Sequence, residues 1–212
     1  MRLFSGYSHN IWLLIIASAL FTGAYLGMTL YEAIETYGEA LLGSDIMERF
    51  GTRFPLIIKF LDASNVLGEQ IHLEDDFDCK TSHVIVERGA NTQTFIFACR
   101  HFAMERLDLR EDHALDLDGK RFYVLSQIEG SSRVVAGESV EMLRAGNSCL
   151  LPAALESVRL EPQGNAALLK MYVPDLMANI VEPLRARGVS DADIVGLGGH
   201  TGLNDLGYSV CR

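Results

Sequence analysis

Phe122-Tyr123-Val124-Leu125-Ser126-Gln127-Ile128-Glu129-Gly130 and, after it, Gly146-Asn147-Ser148-Cys149-Leu150-Leu151-Pro152 carry the pattern that decides the fold. Each is a short apolar run bounded by residues that turn the chain. Runs of the same kind recur on both sides, over 84–86, 93–98, 102–109, 132–135, 157–160 and 166–173. Between them stand Arg88-Gly89, Asp118-Gly119, Ala136-Gly137 and Gln163-Gly164-Asn165. Regular short strands with Gly-bearing turns predict an antiparallel sandwich or barrel, not a parallel α/β sheet. Its core is expected to include Phe122, Val124, Leu150 and Leu168, with Gly146 and Pro152 at one turn.

The flanks read as helix. Thr29 with Glu32 three residues on forms a capping box for a helix starting at Leu30. Leu30, Ala33, Ile34, Tyr37 and Leu41 lie on one face of it, and Gly43 ends it. A second short helix is predicted over 45–50, stopped by Gly51. At the other end Asp175 caps a helix over 176–187, which Pro183 should interrupt. Ser190 and Asp193 cap a last short helix ending near Gly198-Gly199, with a frayed terminus beyond.

Upstream of the strands, Phe54-Pro55-Leu56-Ile57-Ile58-Lys59-Phe60-Leu61-Asp62-Ala63 reads as a strand that leads into a second one at Glu69-Gln70-Ile71-His72. Gln70 and His72 are two apart, so on a strand they leave the same face. A carboxamide oxygen and an imidazole nitrogen side by side make half of a metal site. These words resemble the first metal-binding segment of class I (cupin-type) mannose-6-phosphate isomerases. Gly27-Met28-Thr29-Leu30 resembles the helix that precedes it there. The block running from Cys99-Arg100-His101-Phe102 through Pro152 to Val158 resembles the family's C-terminal cupin, so the likeness spans roughly 27–174 in consistent order.

The resemblance implies a mainly β protein: a cupin jelly-roll sandwich with short N-terminal helices and a helical C-terminal tail. It divides the chain into an apolar segment 1–28, a helical segment with a remnant of a first cupin over 29–92, a second cupin over 93–174, and the tail 175–212. It implies a zinc-dependent aldose–ketose isomerase that interconverts mannose 6-phosphate and fructose 6-phosphate. Gln70 and His72 match two zinc ligands, and Lys80 matches the lysine that reaches the substrate. Two departures stand beside these matches. Ser82 occupies the position of the third ligand, a Glu in the family, and a neutral hydroxyl is a poor substitute for a carboxylate on a dication. Ser157 stands where a ligand-bearing turn would carry its His, as is normal for the family's metal-free second cupin. The family's active-site Arg and most of its first cupin are missing. His83 has the opposite strand parity, while Glu74 shares the parity of His72. The alternative reading is a non-catalytic cupin that binds sugar or serves in assembly.

Composition sets outer bounds. The 212 residues, 49% hydrophobic and 22% charged, are enough for a real core. A net charge of −10 without a basic run argues against a nucleic-acid partner, whereas a phosphorylated sugar needs only one or two local cations. Cys79, Cys99, Cys149 and Cys211 form no C-x-x-C pair, which fits reduced thiols and a cytoplasmic location. The stretch from Leu3 to Tyr31 has no formal charge, so residues 11–28 support an alternative of export or membrane anchoring. A span needs roughly 20 apolar residues, and Ser18, Thr22 and Gly23 interrupt this run. His101 and His113 are expected to be solvated.

Overall fold

The computed structural model describes residues 29–58, 83–199 and 204–211. Among the described residues ten strands follow two short helices: β1 (Val84–Arg88), β2 (Asn91–Ala98), β3 (Ala103–Leu109), β4 (His113–Asp116), β5 (Tyr123–Glu129), β6 (Ser131–Ala136), β7 (Ser139–Arg144), β8 (Ser148–Leu151), β9 (Ser157–Pro162) and β10 (Ala166–Tyr172). They form a six-stranded sheet, ordered β1-β2-β3-β10-β5-β8, and a four-stranded sheet, ordered β4-β9-β6-β7. Every pairing is antiparallel. This is a jelly-roll β-sandwich in a mainly β chain, with helices at both ends.

Two of the strands have no counterpart among the runs read from the sequence. β4 follows the acidic Glu111-Asp112, and its four residues are too few to show an alternation. β7 lies at a sheet edge and buries only Leu143, so its pattern is weak. Gly146 and Pro152 do not share one turn: Gly146 closes the turn after β7, and Pro152 follows β8, the strand between them.

Alternation along the strands builds two cores. Leu107, Leu109, Leu125, Leu151, Leu160 and Leu168 pack between the sheets. The opposite face of the large sheet presents Phe122, Val124, Met171 and Val173 to the helices α1 (Leu30–Leu42) and α2 (Ser44–Phe50). Of the expected core, Phe122, Val124 and Leu168 are buried, while Leu150 is half-buried on the helix side. The capping box forms as read: the Glu32 amide donates to Thr29 Oγ1 at 3.2 Å, and the Thr29 amide donates to Glu32 Oε2 at 2.7 Å. Ala33, Ile34 and Leu41 face the sheet, but Leu30 is exposed. After α2, Phe54, Leu56 and Ile58 pack against the same face while Ile57 points out. Their alternation is that of a strand, yet the segment 53–58 joins no ladder.

The tail begins with a π-helical turn, Met177–Val181, that runs into α3 (Glu182–Arg185). Pro183 has no N–H to give to an α-helical ladder, and the wider turn sits directly ahead of it. Helices α4 (Asp191–Gly196) and α5 (Asp205–Val210) follow. The terminus is not frayed there: Leu197 and Leu206 are fully buried, and Asn204 caps α5 by accepting from the Gly207 amide at 2.8 Å. The Ala98 amide donates to the Leu197 carbonyl, which ties the tail to the end of β2.

Polar bonds tie the helix pair to the sheet at several points, and one of them is buried. Arg121, 2% exposed, donates to the Val173 carbonyl at 3.1 Å and to Asp45 Oδ2 at 2.9 Å. Beside it the Asp45 amide donates to the Lys120 carbonyl, and the Phe122 amide to that of Leu42. Gly43 lies between these bonds at φ +94, and a Cβ there would sit 2.3 Å from the Lys120 backbone. Only glycine satisfies both the angle and the space. Arg121→Met is expected to destabilise the fold by roughly 2 kcal/mol, less than a fully buried pair would cost, because Asp45 can rehydrate. Urea unfolding of the two proteins measures the difference.

Candidate functional site

The residues singled out for zinc and substrate, Gln70, His72 and Lys80, lie outside the described residues, as do Glu74 and Ser82. Their neighbours on the described side are His83, which is exposed, and the segment ending at Ile58. A groove of about 340 Å³ opens there on the outer face of the large sheet. Its walls are Pro55–Ile58, Phe102, Met104, Leu169 and Met171, with His101 at the rim. His101 is exposed as expected, and its Nε2 accepts from Arg100 Nε at 3.1 Å. Ser157 opens β9 and is exposed. Among the described residues no group of three or more His, Cys, Asp or Glu side chains could hold a metal ion.

The chemistry that the described residues do gather is inside the sandwich. β3 alternates Ala103, Glu105, Leu107 and Leu109 inward, so a carboxylate occupies a core position. Its neighbour β10 turns Lys170 and Tyr172 to the same interior, and β2 turns Gln93 inward from the other side. Glu105 is 1% exposed and accepts three bonds. Lys170 Nζ reaches Oε2 at 2.8 Å, Gln93 Nε2 reaches the same oxygen at 2.5 Å, and the Tyr172 hydroxyl reaches Oε1 at 2.5 Å. The Lys170 ammonium also lies 5.0 Å from the Tyr172 ring centroid and 5.6 Å from that of Tyr123. Such pairing is what allows a carboxylate in an apolar core. Gln93 Oε1 has no partner.

Sequence reading missed this cluster because each residue looks unremarkable alone. The signal lies in the register: Glu105, Lys170 and Gln93 each interrupt an inward-facing apolar row, and the three rows belong to adjacent strands. Burial raises the Tyr172 hydroxyl well above its ordinary value, with Glu105 adding to the effect. Burial likewise raises Tyr123, and it pushes the Cys149 thiol up to about 12, so that thiol is an inert core group.

His113 corrects an expectation. It is 7% exposed, because β4 carries it under the sandwich beside Leu160. Burial lowers its pKa, helped by the charges of Arg88 and Lys170 and opposed by Glu105. The unfolded chain therefore takes up that proton first as pH falls. Stability is complete above the unfolded value near 6.5 and declines as pH drops from there toward the folded value. His113→Gln should shrink the loss of urea midpoint between about pH 7.5 and about pH 5, since the buried imidazole no longer resists protonation.

No helix among the described residues is long and apolar enough to cross a membrane. Comparison with curated proteins finds no match. Among solved structures, mannose 6-phosphate isomerase from Bacillus subtilis is similar at 20% identity and a TM-score of 0.39, covering 43% of this chain and 28% of that one. A variant of phosphomannose isomerase from Salmonella typhimurium has 22% identity and a TM-score of 0.36, covering 43% of this chain and 22% of that one. An RmlC-like cupin from Shewanella frigidimarina has 13% identity and a TM-score of 0.37, covering 50% of this chain and 92% of its own. The chain thus spans only about a quarter of the length of the isomerases that it resembles. Residues 91–172, the strands β2 to β10, match the family model described as mannose-6-phosphate isomerase, cupin domain.

Proposed function

We propose that this chain is an isomerase of phosphorylated sugars that interconverts mannose 6-phosphate and fructose 6-phosphate. The observation that carries the reading is the match of β2 to β10 to the cupin domain of that family. In the sequence ahead of it stand, in the family's order, Phe54-Pro55-Leu56-Ile57-Ile58, Gln70, His72 and Lys80. The reaction moves a proton between C1 and C2 through an enediol, which needs a base beside the carbon and a charge beside the developing oxyanion. Lys80 would place an ammonium at a phosphate or enediolate oxygen. Gln70 and His72 would be the donors to zinc, which when bound supplies Lewis-acid polarisation of the sugar carbonyl. A phosphorylated sugar as partner and a cytoplasmic location accompany this reading.

Ser82 and the interior network favour a second reading, a non-catalytic cupin that binds sugar or serves in assembly. The place of the family's third ligand, a carboxylate, is taken by a neutral hydroxyl, and the interior of the sandwich is closed by Glu105, Lys170 and Tyr172. Metal analysis together with a coupled assay for fructose 6-phosphate separates the two. The isomerase is expected to hold close to one zinc per chain, lost in Gln70→Ala/His72→Ala, and to turn over mannose 6-phosphate. Lys80→Met should abolish turnover and leave the zinc in place. A chain that holds no zinc and shows no turnover with zinc added is the second kind of cupin.

A further inference from the structure

The interior cluster gathers an amine, a carboxamide and a proton carrier around one carboxylate oxygen. Lys170 Nζ and the Gln93 carboxamide both bond to a single oxygen, Glu105 Oε2, at 2.8 and 2.5 Å. The amine and the amide are therefore no farther apart than those two hydrogen bonds laid end to end. Glu105 and Gln93 are at least nine-tenths buried, and Lys170 lies against the faces of two tyrosine rings. Water, the usual competitor for an acyl carbon, has little access. One half of the Gln93 amide, its carbonyl oxygen, has no hydrogen-bond partner.

We propose that Lys170 and Gln93 condense into an intramolecular isopeptide bond, with Glu105 carrying the protons and ammonia as the leaving group. The ammonium first gives a proton to the Glu105 carboxylate, leaving a neutral amine next to a neutral acid. The amine lone pair then forms the Nζ–Cδ bond, and the carbonyl π pair moves onto Oε1. Glu105, once protonated, becomes a donor beside this carboxamide, to which it is already hydrogen-bonded through Nε2. Glu105 relays one proton from Nζ to Nε2, the Cδ–Nε2 bond breaks as the carbonyl re-forms, and ammonia departs. The five protons that begin on Lys170 and the Gln93 amide end as one on the new amide, three on ammonia and one on Glu105. No oxidant or second substrate is required.

Two physical terms favour the step. Well-oriented groups on a rigid scaffold react with effective molarities of about 10⁵ M or more, which offsets the poor electrophilicity of an amide. The product replaces a buried ion pair by a neutral acid and a neutral amide, removing two charges from an apolar core. The bond would run from β2 to β10 over β3, since Lys170 pairs with Glu105 on one side and Gln93 lies on the strand at the other.

The test is the mass of the purified full chain, followed by peptide mapping. The folded wild-type protein is expected to be lighter than its sequence by one ammonia. Its tryptic digest should contain the Gln93 peptide joined to the Lys170 peptide, uncleaved at Lys170. Lys170→Arg keeps a cation against Glu105 but has no such nucleophile, so it should show the full mass while remaining folded by circular dichroism. Glu105→Gln should also retain the full mass. A wild-type chain with unshifted mass and separate peptides overturns the proposal whatever the variants do. So does an ammonia loss that persists in Lys170→Arg, and a crosslink that forms in Glu105→Gln removes Glu105 from the chemistry.

Discussion

A carboxylate in an apolar core is tolerated only if every oxygen finds donors, and Glu105 imposes that demand on three strands at once. Lys170 must sit across from it on β10, and Gln93 must lie within reach on β2. Tyr172, two residues beyond Lys170, must turn inward on the same strand. Sliding β10 by one residue would expel Lys170 and Tyr172 to the helix-covered face and leave the carboxylate unpaired. Register here is set by charge as much as by the hydrophobic rows around it. The centre of the large sheet is therefore its most exactingly specified part.

From that centre the molecule is layered. The interior face of β10 and β5 joins the core shared with the small sheet, and their outer face forms the floor for α1 and α2. The helices need the strands, because a 13-residue helix kinked at Gly38 has little stability of its own. They are held by apolar contact and by Arg121, whose guanidinium joins the start of α2 to the end of β10. The tail serves the other end, where Leu197 and Leu206 extend the inner core past the end of β2.

What could be read in the sequence was what local chemistry decides. Thr29 and Glu32 cap a helix by themselves, and Gly-bearing turns punctuate strands without help from distant residues. Where burial depends on a partner far along the chain, reading failed. Glu105 and Lys170 are 65 positions apart, and each alone has the look of a surface charge. His113 follows two acids and was expected in water, yet a four-residue strand pairs it with Leu160 and buries it. Asn204 and Leu206 gave no periodicity long enough to announce α5. Gln70, His72 and Lys80 rest on spacing and resemblance, and they fall outside the described residues.

Because β10 is covered on both faces and paired on both edges, its amides have no local route to solvent. Ala166, Ala167, Leu168, Tyr172 and Val173 are buried from one side or the other, and β3 and β5 close the flanks. Opening β10 means separating the inner core from the outer one, which is unfolding of the whole molecule. β7 is different: it pairs only with β6 and exposes Val140. In hydrogen exchange the first strand would report global stability and the second a shallow fraying, so one domain carries a slow clock at its centre and a fast one at its rim.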